Sequence, residues 1–171
     1  MKYLVRSDAV LTDAAVLLVR LCVGAVFIAH GWDKVTGEGG VAAIVASNRE
    51  LGIPLPELSG PFLAYGELVG GALLVLGAAA RVGAAVLTAI MIGAWVFVHT
   101  GSGLMQQNGG FEYVMVLAAV SLLILAHGPG RFSLDAVLFG GFDTRRGERG
   151  ERGEREERTA RGGGHHAGAD R

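Results

Sequence analysis

The sequence predicts an all-α fold: an integral membrane four-helix bundle followed by a disordered C-terminal tail. Three observations carry that expectation. Hydrophobic residues make up 51% of the chain and mean hydropathy is +0.44, although Asp143–Arg171 is almost entirely polar. Four apolar stretches, 13–30, 61–80, 82–99 and 112–127, approach the roughly 20 residues that a spanning helix needs. Ionisable side chains nonetheless sit inside or at the edges of these stretches: Arg20, His30, Glu67, His99 and Glu112. A charge at bilayer depth costs roughly 2.5–3.5 kcal/mol on insertion scales, so it persists only when paired, hydrated or functional. The bundle is expected to have a polar interior.

Each element can be justified in chain order. Residues 1–12 precede the first span and form a short cytoplasmic N-terminus. A cleaved leader is disfavoured, because Arg20 falls in the middle of its apolar region and no small-x-small site follows. The first span runs over 13–32, with Trp32 and Lys34 as interfacial anchors. Residues 37–60 exceed a simple turn, and Gly40–Leu51 can form a short interfacial helix before Gly52, Pro54 and Pro56. Pro61 then suits the first turn of the second span, 61–80, since its missing N–H costs nothing there. Only Arg81 separates that span from the third, 82–99, which makes a tight helical hairpin. Thr100–Gly110 is a loop, and the fourth span, 112–127, stops at His127-Gly128-Pro129-Gly130.

The membrane domain thus covers 13–139, and 140–171 is the tail. From Asp143 onward the tail holds eight of the 15 basic and seven of the 16 acidic residues, with little apolar area to order it. His165-His166 reads as part of that solvated tail. Lys2, Arg6, Arg81, Arg131 and the tail arginines share one side, whereas Lys34 and Arg49 lie opposite. The positive-inside rule then places both termini in the cytoplasm of a multi-pass protein. The net charge of −1 gives no case for nucleic acid, so the lipid bilayer is the first partner.

The chemistry must come from few groups. Cys22 is the single cysteine, so no thiol relay runs within one chain, and it reads as a packing residue. Helical rise places Glu67 about 9 Å below one face and Arg20 about 10 Å from the other. His30, Glu67, His99 and Glu112 gather in the outer half, with Lys34 just above. Three readings stay open. Arg20 and Glu67 can form a structural ion pair. The outer group can form a pocket for a quinone head group, a small sulfur compound or a proton path. His30 and His99 can also ligate a metal, haem iron included.

The order of these residues resembles the DoxX family: Arg20, His30-Gly31 with Lys34, Glu67 with a Gly-rich run to Arg81, His99, Glu112, then Gly128-Pro129-Gly130-Arg131-Phe132-Ser133-Leu134-Asp135. The resemblance covers about residues 15–139. It implies a four-helix bacterial inner-membrane protein, related to the DoxD-type subunit of a thiosulfate:quinone oxidoreductase and to proteins linked with redox stress. The implied role is a subunit of a quinone- or sulfur-linked membrane redox system that uses the outer pocket. The alternative is a non-catalytic scaffold or anchor for a partner redox enzyme. No nucleotide-binding loop, iron–sulfur ligand set or nucleophile–base pair is present. Any electrons therefore belong to a diffusible quinone or to a membrane or cytoplasmic partner protein.

Overall fold

Hydrocarbon offers no water to backbone N–H and C=O groups, so long apolar segments satisfy them internally as helices. The computed structural model describes residues 2–138, with side chains from Val10 onward. It contains α1 (Lys2–Thr36), α2 (Gly40–Glu50), α3 (Pro56–Leu76), α4 (Ala80–Phe97) and α5 (Glu112–His127), with a 3-10 turn at Gln106–Asn108. The described residues contain no strand. Val10–Thr36, Pro56–Leu76 and Ala80–Phe97 are long and apolar enough to cross a membrane. The fourth apolar helix, α5, has only 16 residues. That is about 24 Å at 1.5 Å per residue, short of a roughly 30 Å hydrocarbon core. The chain divides into two units, 1–136 and 137–171, and all five helices lie in the first. The expected disordered tail and His165-His166 lie outside the described residues.

Several boundaries differ from expectation. α1 begins at Lys2 rather than Asp13, since no glycine or proline interrupts 2–12. Pro56 takes the first turn of α3, and Pro61 lies inside the helix. The lost N–H of Pro61 faces only the carbonyl of Glu57, close to the helix start, which limits the damage. The α3–α4 turn is Gly77–Ala79, and Arg81 already belongs to α4. Cys22 is exposed on α1 rather than packed in the core.

α3 is the central helix and packs against α1, α2 and α4, while α5 packs mainly on α4. Between α1 and α5 the contact is thin. Phe27, Leu74, Leu87, Met91, Leu117 and Ile124 fill the core. The α1–α3 contact depends on glycine. A Cβ on Gly71 would lie 2.7 Å from the Gly24 carbonyl oxygen, and one on Gly31 would lie 2.4 Å from the Leu68 nitrogen. Small residues are what let membrane helices approach so closely. α2 is tied to α3 where buried Asn48 donates from Nδ2 to Ser59 Oγ at 3.0 Å. Exposed Leu18, Val69, Leu76, Ile92, Leu122 and Leu123 give the outside of the bundle an apolar coat suited to lipid.

Candidate functional site

The antiparallel α1–α3 contact decides which charges meet. With Gly31 seated against Leu68, one turn further along α1 brings Lys34 over Glu67. Lys34 Nζ donates to Glu67 Oε2 at 2.5 Å. The Glu67 side chain is 4% exposed and that of Lys34 is 21% exposed. Lys34 lies in the last turn of α1, where the helix dipole favours a cation.

Beside this pair lies a cavity of about 240 Å³. His30, Lys34, Glu67 and His99 line it, together with Gln106 and Tyr113, against walls that include Phe27, Met91 and Leu117. The His30 and Tyr113 rings meet at a tilt, with centroids 6.2 Å apart. His99 Nδ1 lies 2.7 Å from the Gly109 carbonyl, which ties its ring to the 101–110 loop. The same loop is held by Glu112, whose Oε1 accepts from the Gln106 backbone N–H at 2.6 Å. Glu112 therefore shapes the loop and does not line the cavity. Gln106 and Tyr113 were not anticipated from sequence. Tyr113 adjoins Glu112 at the start of α5, and that adjacency was the available signal.

Arg20 stands apart from this group. It is 1% exposed, and Glu67 is not its partner. Its Nε donates to the Leu74 carbonyl at 2.9 Å and its Nη2 to Val75 at 3.3 Å, both in the last turn of α3, where helical N–H donors run out. Its Nη1 donates to the Pro129 carbonyl and, at 3.0 Å, to Phe132. The expected Arg20–Glu67 pair is thus absent. A guanidinium fork suits several carbonyls in one plane, and the end of α3 supplies two of them two turns away from Glu67.

The 128–135 motif completes a clamp around Arg20. Asp135 accepts from the backbone N–H groups of Ala79 at 2.8 Å and Ala80 at 3.1 Å, which caps the start of α4. The Asp135 N–H donates to Gly77 O at 2.9 Å. Asp13 on α1 accepts from the Arg131 N–H at 3.1 Å. Gly77 has φ 66°, and a Cβ there would lie 2.4 Å from Arg20 Nη2. The clamp therefore requires glycine at that position both for conformation and for room.

No group of three or more His, Cys, Asp or Glu side chains gathers as a metal site among the described residues. His30 and His99 line the same cavity, but their neighbours there are a tyrosine ring and a backbone carbonyl.

Comparison with known proteins agrees with this architecture. The DoxX family model matches residues 15–100, a segment holding Arg20, His30, Lys34, Glu67 and His99. CatD of Bacillus subtilis, a provisionally named oxidoreductase, is 30% identical over 129 residues, which is 75% of this chain and 90% of CatD. The inner membrane protein YphA of Escherichia coli is 31% identical over 124 residues, covering 70% of this chain and 86% of YphA. No solved structure matches the chain. On the family model and these two relatives, the chain belongs to the DoxX family of membrane proteins.

Proposed function

We propose that the chain is a subunit of a redox system in the bacterial inner membrane, and that the cavity beside Lys34–Glu67 receives a quinone head group. The supporting observation is the cavity itself. A volume of about 240 Å³ combines apolar walls with an ammonium, a carboxylate, two imidazoles and a phenol. A quinone has a flat apolar ring and two carbonyl acceptors, and Lys34 Nζ, Tyr113 Oη and either imidazole can donate to such groups. Bound there, a quinone supplies the electron-accepting chemistry. Lys34 and Glu67 orient it and hold a proton at Nζ or Oε2, while His30 and His99 connect that position to the loop side of the cavity. The electrons come from a partner protein, in line with the oxidoreductase name of CatD and the membrane name of YphA.

The test is a titration of the purified protein in mild detergent with a short-tailed benzoquinone, alongside mass spectrometry for co-purified quinone. Lys34→Met and Glu67→Gln should each weaken binding about tenfold, equivalent to roughly 1.4 kcal/mol. Unchanged binding in both variants would remove the cavity from the reading. A protein that binds no quinone but retains a redox enzyme would be the scaffold instead.

The orientation belongs to the same proposal: four crossings with both termini cytoplasmic, since short loops with excess Lys and Arg stay inside. Alkaline phosphatase fused after Asn108 should be active, and fused after Gly141 inactive. Activity at both sites would contradict the orientation.

A further inference from the structure

The thin contact between α1 and α5 leaves a groove that the redox reading does not use. It encloses about 380 Å³ between Leu11, Ala15, Val16 and Val19 on α1 and Leu123 and Ile124 on α5, with Thr12 and His127 at one end. From Leu11 to Val19 the apolar floor runs about 12 Å along the helix, and the small side chain of Ala15 leaves room at its middle.

The polar end of the groove carries the charge. The loop after α5 sits at its mouth: a Cβ on Gly130 would lie 3.5 Å from Val16 Cγ1, a groove atom. Arg131 in that loop has a side chain 76% exposed, with Nε 3.9 Å from Asp13 Oδ2. Arg81 is exposed and approaches the same loop, its Nη2 3.1 Å from where a Cβ on Gly128 would stand. His127 lines the mouth. The two nearby carboxylates are already engaged by backbone amides, Asp13 by Arg131 N and Asp135 by Ala79 N and Ala80 N. Two exposed guanidinium groups, Arg131 in the loop and Arg81 against it, thus stand beside the groove residue His127, with Asp13 paired to Arg131.

We propose that this groove is a binding site for an anionic phospholipid, with one acyl chain between α1 and α5 and the phosphate at Arg81, Arg131 and His127. An anionic head group is attracted by interfacial arginines, and an acyl chain fills a slot that neither helix closes. A lipid so placed joins α1 to α5 where the protein's own contact is thin. The site lies at the opposite end of α1 from the Lys34–Glu67 cavity and does not depend on the quinone reading.

The experiment offers the full-length protein equal amounts of dioleoylphosphatidylglycerol and dioleoylphosphatidylcholine and measures retained lipid by native mass spectrometry. One phosphatidylglycerol should survive collisional activation that strips phosphatidylcholine, with a preference of about thirtyfold, the order expected of two interfacial arginines. Arg81→Gln with Arg131→Gln should bring that preference to parity, and both side chains are exposed, so the fold should persist. Ala15→Trp, and independently Leu123→Trp, should fill the slot and remove the retained lipid of either type. Equal retention of both lipids by the unaltered protein would overturn the proposal. So would a preference that survives the double arginine variant, or a homodimer cross-linked through position 16 that excludes lipid.

Discussion

Replacing Gly71 with leucine should abolish recovery of folded protein, whereas Gly93→Ala should be tolerated. A Cβ at Gly71 would meet the Gly24 carbonyl oxygen at 2.7 Å and the Ile28 nitrogen at 2.9 Å. Both are backbone atoms of α1, so no rotamer change relieves the clash. The helices must separate, and the separation also pulls Lys34 from Glu67. Overpacking a well-filled site typically costs about 1–3 kcal/mol, and more where backbone must move. At Gly93 a Cβ meets nothing within 4 Å, and Gly→Ala inside a helix gains up to about 1 kcal/mol. Size-exclusion profiles in mild detergent check both variants. A monodisperse Gly71→Leu protein would show that α1 and α3 pack less closely than described.

Arg20→Met should lower stability by about 2–5 kcal/mol, since each buried acceptor left without its donor costs about 1–3 kcal/mol and several are affected. The loss has two sources. Four carbonyls, those of Leu74, Val75, Pro129 and Phe132, lose a charge-assisted donor. The 128–135 loop also loses its anchor on α3, which loosens the Asp135 cap on α4. Arg20→Lys should rescue little, because one ammonium cannot span acceptors on two segments as the planar fork does. Thermal denaturation in detergent tests this. A lysine variant as stable as the native protein would show that charge alone, not the fork, holds the clamp.

These two positions show what the sequence reveals and what it hides. The apolar runs announce helices, because length and hydropathy are local properties that hydrocarbon enforces. Glycine spacing on the first and third helices likewise marks faces of close approach. Helix starts were less legible, since 2–12 are polar enough to be read as a terminus yet contain no helix breaker. The partner of Arg20 was hidden for a different reason. Opposite charges draw attention to each other in a sequence, whereas backbone carbonyls are invisible there. The depths of Arg20 and Glu67, reckoned from opposite faces, leave a gap that a long arginine side chain can be read as bridging. Lys34 lies beyond the apolar run and so reads as an interfacial anchor just above the outer group, yet a lysine stem reaches back readily. The motif at 128–135 was conspicuous as a family mark, but only the fold shows that it closes on Arg20. The loop residue Gln106 carries no local sign of facing a cavity at all.

The most direct measurement is a pair of double-mutant cycles on stability in detergent. Lys34→Met with Glu67→Leu should deviate from additivity by about 1 kcal/mol or more, as contacting residues do. Arg20→Met with Glu67→Leu should add to within about 0.5 kcal/mol, as separated sites do. That result would establish two independent polar centres, a structural clamp at Arg20 and a charged cavity at Glu67. Coupling of Arg20 to Glu67, with Lys34 additive, would contradict it.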